Sequence, residues 1–373
     1  MSSFLKHREE PLDALRGIAA LIVVIAHTTI AGLYKVEPLW GYLKWSPLKI
    51  FWSGHQAVIL FFVLSGFALV RMWQGIGGGR YDAYFVARVV RLFPPYIASV
   101  LLALAAYYFA SSVVEWDKGW MGVPKPDFSF QLLANHALMV GQFNTSEVNP
   151  PIWSIVHEMR ISIAFPLIFL LVSRFGGWAV ACFYAMSTWI GWAMLGNVQL
   201  SGVQGDLIQT LHYSTFFAVG AFIALQQERL CRFFKEIEGS KRTALWLASL
   251  ILYAYPFDNP WDLGYRAFGD LITGVGSGLI VCLALTMKSN IFVKLGGYLG
   301  RISFSLYLNH ILALNLSLLF LFRSYGAPAV WMATIVGAVL LSSVMHKIVE
   351  VPSISASRYL RRKVLFGKPD SVL

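Results

Sequence analysis

Long apolar runs, each closed by a charged or Gly- and Pro-marked segment, recur along the chain. They predict membrane-crossing helices at about 12–33, 56–73, 93–114, 152–173, 177–196, 207–225, 243–258, 270–287, 302–322 and 328–347. The expected architecture is an all-α, polytopic membrane bundle of about ten transmembrane helices. It forms one domain over residues 1–350, with a basic cytoplasmic tail at 351–373.

Composition agrees with this pattern: 57% of the 373 residues are hydrophobic and 13% charged, where a soluble domain would carry about 25% charged residues. The net charge of +11 raises nucleic acid as a partner, and its distribution argues against one. Basic residues gather in alternate loops: Arg71, Arg80, Arg88 and Arg91; then Arg229, Arg232, Lys235, Lys241 and Arg242; then Arg358, Arg361, Arg362 and Lys363. The intervening loops hold only scattered cations such as Lys35, Lys44, Lys118 and Arg266. An even number of spans with both termini cytoplasmic satisfies the positive-inside rule, and a cytoplasmic anionic ligand is a second reason for the excess. The basic start leads into a long apolar run that carries Arg16, so a retained first helix is expected instead of a cleaved signal. Cys182, Cys231 and Cys282 are too few and too scattered for a disulfide framework or a zinc site, and no metal is expected.

Ionisable groups in lipid are costly and mark pathways or active sites. Arg16 and His27 share the first span; eleven residues make about three turns, so both emerge from one helix face roughly 16 Å apart along the axis. Where the first cytoplasmic loop enters the third span, Arg88 and Arg91 fall three apart on a helical turn, a geometry suited to a phosphate-rich ligand, and Pro94-Pro95 suit the first turn of the next span. Plain anchoring to headgroups would explain the same pair. The fourth span opens with Pro150-Pro151-Ile152-Trp153-Ser154-Ile155-Val156-His157-Glu158, and Ser154 and Glu158 share a face. Glu158 should lie about 9 Å below the outer surface and His27 about 22 Å from the inner one, nearly one level in a ~30 Å core. There a carboxylate could orient an imidazole for general-base work; a structural partnership of Glu158 with Arg160 or His157 is the plainer reading. Tyr307, Asn309 and His310 in the ninth span suit substrate contact or helix–helix hydrogen bonding equally. His212, Asp206 and His55, near the outer surface, read as ordinary interfacial polar groups.

The segments LDALRGIAALIVVIAH, FFVLSGFAL, YFVARVVRLFPPY, IWSIVHE and LGRISFSLYLNH, in this order, resemble the acyltransferase-3 family of membrane acyltransferases over most of the chain. The resemblance implies transfer of an acyl group, commonly acetyl, from cytoplasmic acyl-CoA to a carbohydrate or similar acceptor, often across the membrane. It makes Arg16 and His27 the hallmark pair and Arg88 and Arg91 the Arg-x-x-Arg pair. Two departures stand out. The fourth-span motif continues as Met159-Arg160-Ile161-Ser162, where the family often has Glu, Gln and a Phe-Tyr pair. Many relatives also carry an extracytoplasmic hydrolase-like domain after the bundle; none is expected here, and any handover would then need a separate protein.

The resulting expectation is an O-acetyltransferase of the bacterial inner membrane. Arg88, Arg91 and Arg16 would hold the phosphates of acyl-CoA, with Asp13 orienting Arg16. His27, helped by Glu158, would deprotonate the acceptor hydroxyl or carry the acyl group itself. Trp153, Ser154, Tyr307, Asn309 and His310 would contact the acceptor, a surface polysaccharide or lipid-linked glycan, with the outer segment 115–151 shaping its site. A proton-coupled transporter or flippase is the alternative; the clustering of polar groups and the lack of an inverted repeat weigh against it. A non-catalytic relative that binds lipid or partners is disfavoured by the intact Arg16, His27 and Glu158.

Overall fold

Every regular element among the described residues is helical. In chain order these are α1 (Glu10–Leu33), a 3₁₀ turn (Pro47–Trp52), α2 (Gly54–Gln74), α3 (Tyr81–Val113), α4 (Phe130–Leu138), α5 (Ile152–Phe175), α6 (Gly177–Leu195), α7 (Gly202–Leu225), α8 (Gln227–Glu236), α9 (Gly239–Ala254), α10 (Leu263–Ala284), α11 (Ile291–Met345), a π-helical turn (His346–Glu350) and α12 (Val351–Phe366). The structure is a computed structural model and describes residues 9–33, 45–113, 129–139, 148–195, 202–256 and 263–366. Hydroxyls inside the apolar helices fold back on their own backbone, as Thr28 does onto the Val24 carbonyl (2.6 Å), so few are left unsatisfied where water is scarce.

Among the described residues, seven helical stretches are long and apolar enough to cross a membrane: Glu10–Thr29, Gly54–Gln74, Tyr81–Phe109, Ile152–Phe175, Gly205–Leu225, Arg266–Ala284 and Val293–Leu365. Two features account for part of the difference from the expected ten: helix α9 has only 16 residues, and the run Val293–Leu365 contains both 302–322 and 328–347. Within α11 the chain breaks at Gly326 (φ 71°, ψ −171°), a conformation essentially confined to glycine. The second arm brings Val330 onto Ile311 and Leu314 in a buried cluster, with Leu318 and Leu321 against it.

The chain divides into two compact units. The first comprises the described residues of Met1–Ala19, His55–Gly79 and Arg160–Gly300, and the second those of Ala20–Gly54, Arg80–Met159 and Arg301–Leu373. In the first unit small residues let helices touch backbone to backbone, the way helices associate where lipid removes the hydrophobic drive. A Cβ on Gly220 of α7 would fall 1.9 Å from the Val63 carbonyl oxygen of α2, and one on Gly300 of α11 would fall 2.0 Å from that of Asp13 in α1. Beside the α2–α7 crossing, the Phe62 ring packs against Tyr213 and Phe217 at 5.1 and 5.4 Å.

In the second unit α12 lies along α3. Here the structure corrects the reading of Pro94-Pro95 as a helix start, because α3 is already helical from Tyr81 and carries both prolines in its interior. Prolines there deprive the carbonyls four residues back, Val90 and Arg91, of their N–H partners. The Ser353 hydroxyl of α12 donates to both, at 2.5 and 3.2 Å, and Ser357 one turn on donates to the Ala87 carbonyl at 2.6 Å. Segment 351–366, expected as tail, is thus a helix that completes the hydrogen bonding of the Arg88–Arg91 segment.

Candidate active site

The second half of α1, the first turns of α5, α3 and the 301–325 arm of α11 bring most of the expected residues into the second unit. His27 faces His310: the ring centroids are 5.0 Å apart and His310 Nε2 lies 3.3 Å from His27 Nδ1. Backbone contacts assign the tautomers. His310 Nδ1–H donates to the Tyr307 carbonyl (2.7 Å), which makes its Nε2 an acceptor. His27 Nδ1–H is shared between the Val23 carbonyl (3.0 Å) and that acceptor. The remaining lone pair, on His27 Nε2, has no partner among the described residues. An imidazole tied down at one nitrogen and open at the other is the arrangement a general base or nucleophile needs.

Glu158 does not meet His27, whose polar neighbours are Val23 and His310. Its carboxylate accepts from the Arg88 guanidinium, with both side chains largely buried. The Arg-x-x-Arg pair therefore separates, Arg88 inward to Glu158 and Arg91 exposed. Near Glu158 the Tyr307 hydroxyl donates to the Pro151 carbonyl (3.0 Å) and accepts from Ser154 (2.7 Å), and the Tyr307 ring lies 6.0 Å from that of His310. Trp153 packs edge-on against His157 at 5.9 Å. Asn309 donates to the Ser305 carbonyl (2.8 Å), while its own amide oxygen is buried without a partner among the described residues. Arg16 belongs to the first unit, where it binds the Asp13 carboxylate and the Leu64 carbonyl, both at 3.2 Å.

Asn149 escapes the sequence reading, and so does a polar chain that links His55 and His212, read there as ordinary interfacial groups. Asn149, before the two prolines that open α5, donates to the Leu308 carbonyl at 2.7 Å and so ties that start to α11. An Asn preceding a Pro-Pro helix start was the available signal. In the first unit, five side chains from four helices form one chain of bonds. Arg266 donates to His55 Nδ1 (2.7 Å), His55 Nε2 to Asp270 (2.7 Å), His212 Nε2 to the other Asp270 oxygen (3.2 Å), and Ser187 to His212 Nδ1 (2.5 Å). The order Ser–His–Asp resembles a hydrolytic triad in connectivity, but Ser187 has no solvent exposure at all, so the chain acts as a polar staple. Arg160, the main departure in the fourth-span motif, pairs with Asp206 at 2.7 Å and reaches Thr210 at 3.3 Å, which answers the charge within this chain. Trp116, Trp120, Asp127 and Asn144, expected to shape an acceptor site, lie outside the described residues. Among the described residues no group of three or more His, Cys, Asp or Glu side chains is arranged to hold a metal ion.

A family model described as an acyltransferase domain, acyltransferase 3, matches residues 10–347. The match contains every site residue named above. Comparison with curated proteins and with solved structures gave no match.

Proposed function

The chain belongs to the acyltransferase-3 family, and on that premise we propose that this multi-pass membrane protein is an acyl-CoA-dependent O-acyltransferase. It moves an acyl group, acetyl in the first instance, to a hydroxyl of a carbohydrate acceptor such as an exported polysaccharide or a lipid-linked glycan. The proposed setting is the bacterial inner membrane, with ten spans and both termini cytoplasmic. The observation that carries the reading is the open Nε2 of His27, held in place by the Val23 carbonyl and by His310.

In the direct route His27 Nε2 takes the hydroxyl proton as the acceptor oxygen attacks the thioester carbonyl. The C–S bond breaks, and the leaving thiolate takes that proton back from the imidazole, so no proton is lost or gained overall. His310 Nε2, accepting from Nδ1–H, supports the transient imidazolium as a positioning residue. In the covalent route Nε2 itself takes the acyl group and passes it on. Ser154, Tyr307, Trp153 and Asn309 are proposed to contact the acceptor. Arg88 holds Glu158, and the exposed Arg91 is proposed to meet the donor's phosphates.

The test is thiol release from acetyl-CoA by purified protein with extracted glycan. His27→Ala should lower the rate at least ~100-fold, the usual scale for losing a general base. Undiminished transfer by that variant would sink the proposal. Thiol release in a stoichiometric burst without acceptor selects the covalent route.

A further inference from the structure

Where α7 turns into α8, a cavity of about 270 Å³ is walled by Arg71, Gln226, Gln227, Glu228, Arg229 and Arg232, all within the first unit. None of these residues has a role in the acyl-transfer site. Arg71, in the last turn of α2, is fixed in the wall: it donates to the Gln227 side-chain oxygen, and Gln227 in turn donates to Glu9 at 3.0 Å. Arg229 and Arg232 stand three apart on α8, one face of the helix, and neither guanidinium has a partner among the described residues. Phe234 is buried on the same short helix and anchors it. Cys231 between the two arginines is half-buried, and that burial raises its thiol pKa, so the face they present is cationic. At the mouth the first amides of α8 lack a side-chain cap, since Gln226 supplies none.

Three guanidiniums thus outnumber the one carboxylate in the wall, Glu228, and the one behind Arg71, Glu9 at 4.0 Å. Forked donors beside an uncapped helix start match the three oxygens and the charge of a phosphate better than the two oxygens of a carboxylate. The cavity has room for a phosphate and its adjoining group, or for two linked phosphates. We propose that this cavity binds a phosphate-bearing anion, either one phosphate end of a larger molecule such as CoA or the headgroup of an acidic phospholipid. Binding stands whether or not the chain transfers acyl groups; only the CoA source rests on that reading.

The probe is radiolabelled inorganic pyrophosphate, measured by equilibrium dialysis against the full-length protein in detergent. Saturable binding is expected, weakened by salt and reduced about tenfold or more in R229Q/R232Q. Because both side chains are exposed and unpartnered, the variant's Tm should stay within about 2 °C of the parent's, which separates lost binding from lost folding. Equal binding by parent and variant, or none by either, overturns the site. Competition then names the source. Displacement by CoA assigns it to the donor, displacement by phosphatidylglycerol but not CoA assigns it to a headgroup, and displacement by unlabelled phosphate alone assigns a small-anion site. An enzyme that failed to use acyl-CoA would leave the pyrophosphate result unchanged, so the two proposals fail separately.

Discussion

Arg88 and Glu158 compensate each other in a largely buried place, and removing one member takes that countercharge from the other. Such a loss costs about 3–5 kcal/mol, whereas removing both is far milder. Glu158→Gln and Arg88→Gln should each lower thermal stability sharply, and the double variant should recover much of it; additive losses in that cycle would argue against the pair. His310 predicts a different signature. His310→Ala should lower kcat about 10- to 100-fold with little change in KM, and His310→Gln, whose side-chain oxygen can still accept from His27 Nδ1–H, should recover part of it, as steady-state kinetics would show. His27 and Glu158 were legible in the sequence because an ionisable side chain in an apolar run announces its cost. Their partners were not. Depth along a helix follows from counting residues, but the direction a side chain faces depends on how each helix is rotated against its neighbours, and that rotation gives His310 to His27 and Arg88 to Glu158.

Helices α3 and α12 show the same limit for whole elements. The sequence marks a boundary at Pro94-Pro95, since prolines suit a first turn. It cannot show that one serine more than 250 positions later, Ser353, will take up the carbonyls those prolines release, at Val90 and Arg91, or that Ser357 will add a bond to Ala87. Replacing Ser353 and Ser357 together by Ala should cost about 1–3 kcal/mol, for carbonyls that lose a buried partner, and thermal unfolding of the variant reads it directly. A loss no larger than that of an exposed substitution would mean that water meets those carbonyls instead. The break at Gly326 was easier to foresee, because the apolar pattern itself pauses between 322 and 328. The glycine crossing of α2 and α7 was not, since nothing in Gly66 or Gly220 alone says which backbone each will meet.

At the scale of the whole molecule the all-helical architecture was legible from apolar periodicity. The link Ser187–His212–Asp270–His55–Arg266 was not, being spread over residues 55 to 270. Asp270 is its hinge, since it accepts from both histidines. Asp270→Asn keeps the shape but leaves Arg266 and the imidazoles without the charge they surround, so a loss of about 2 kcal/mol in global stability is expected, checked by thermal unfolding. An unchanged Tm would reduce the staple to decoration. The seat of α12 on α3 bears on how the protein is made. A ribosome that has translated only the first 350 residues has released the Arg88–Arg91 helix with two carbonyls still waiting for Ser353. The segment that presents Arg88 to Glu158 therefore reaches its final bonding only after Ser353 has been made, and a nascent chain cannot assemble a finished site ahead of α12.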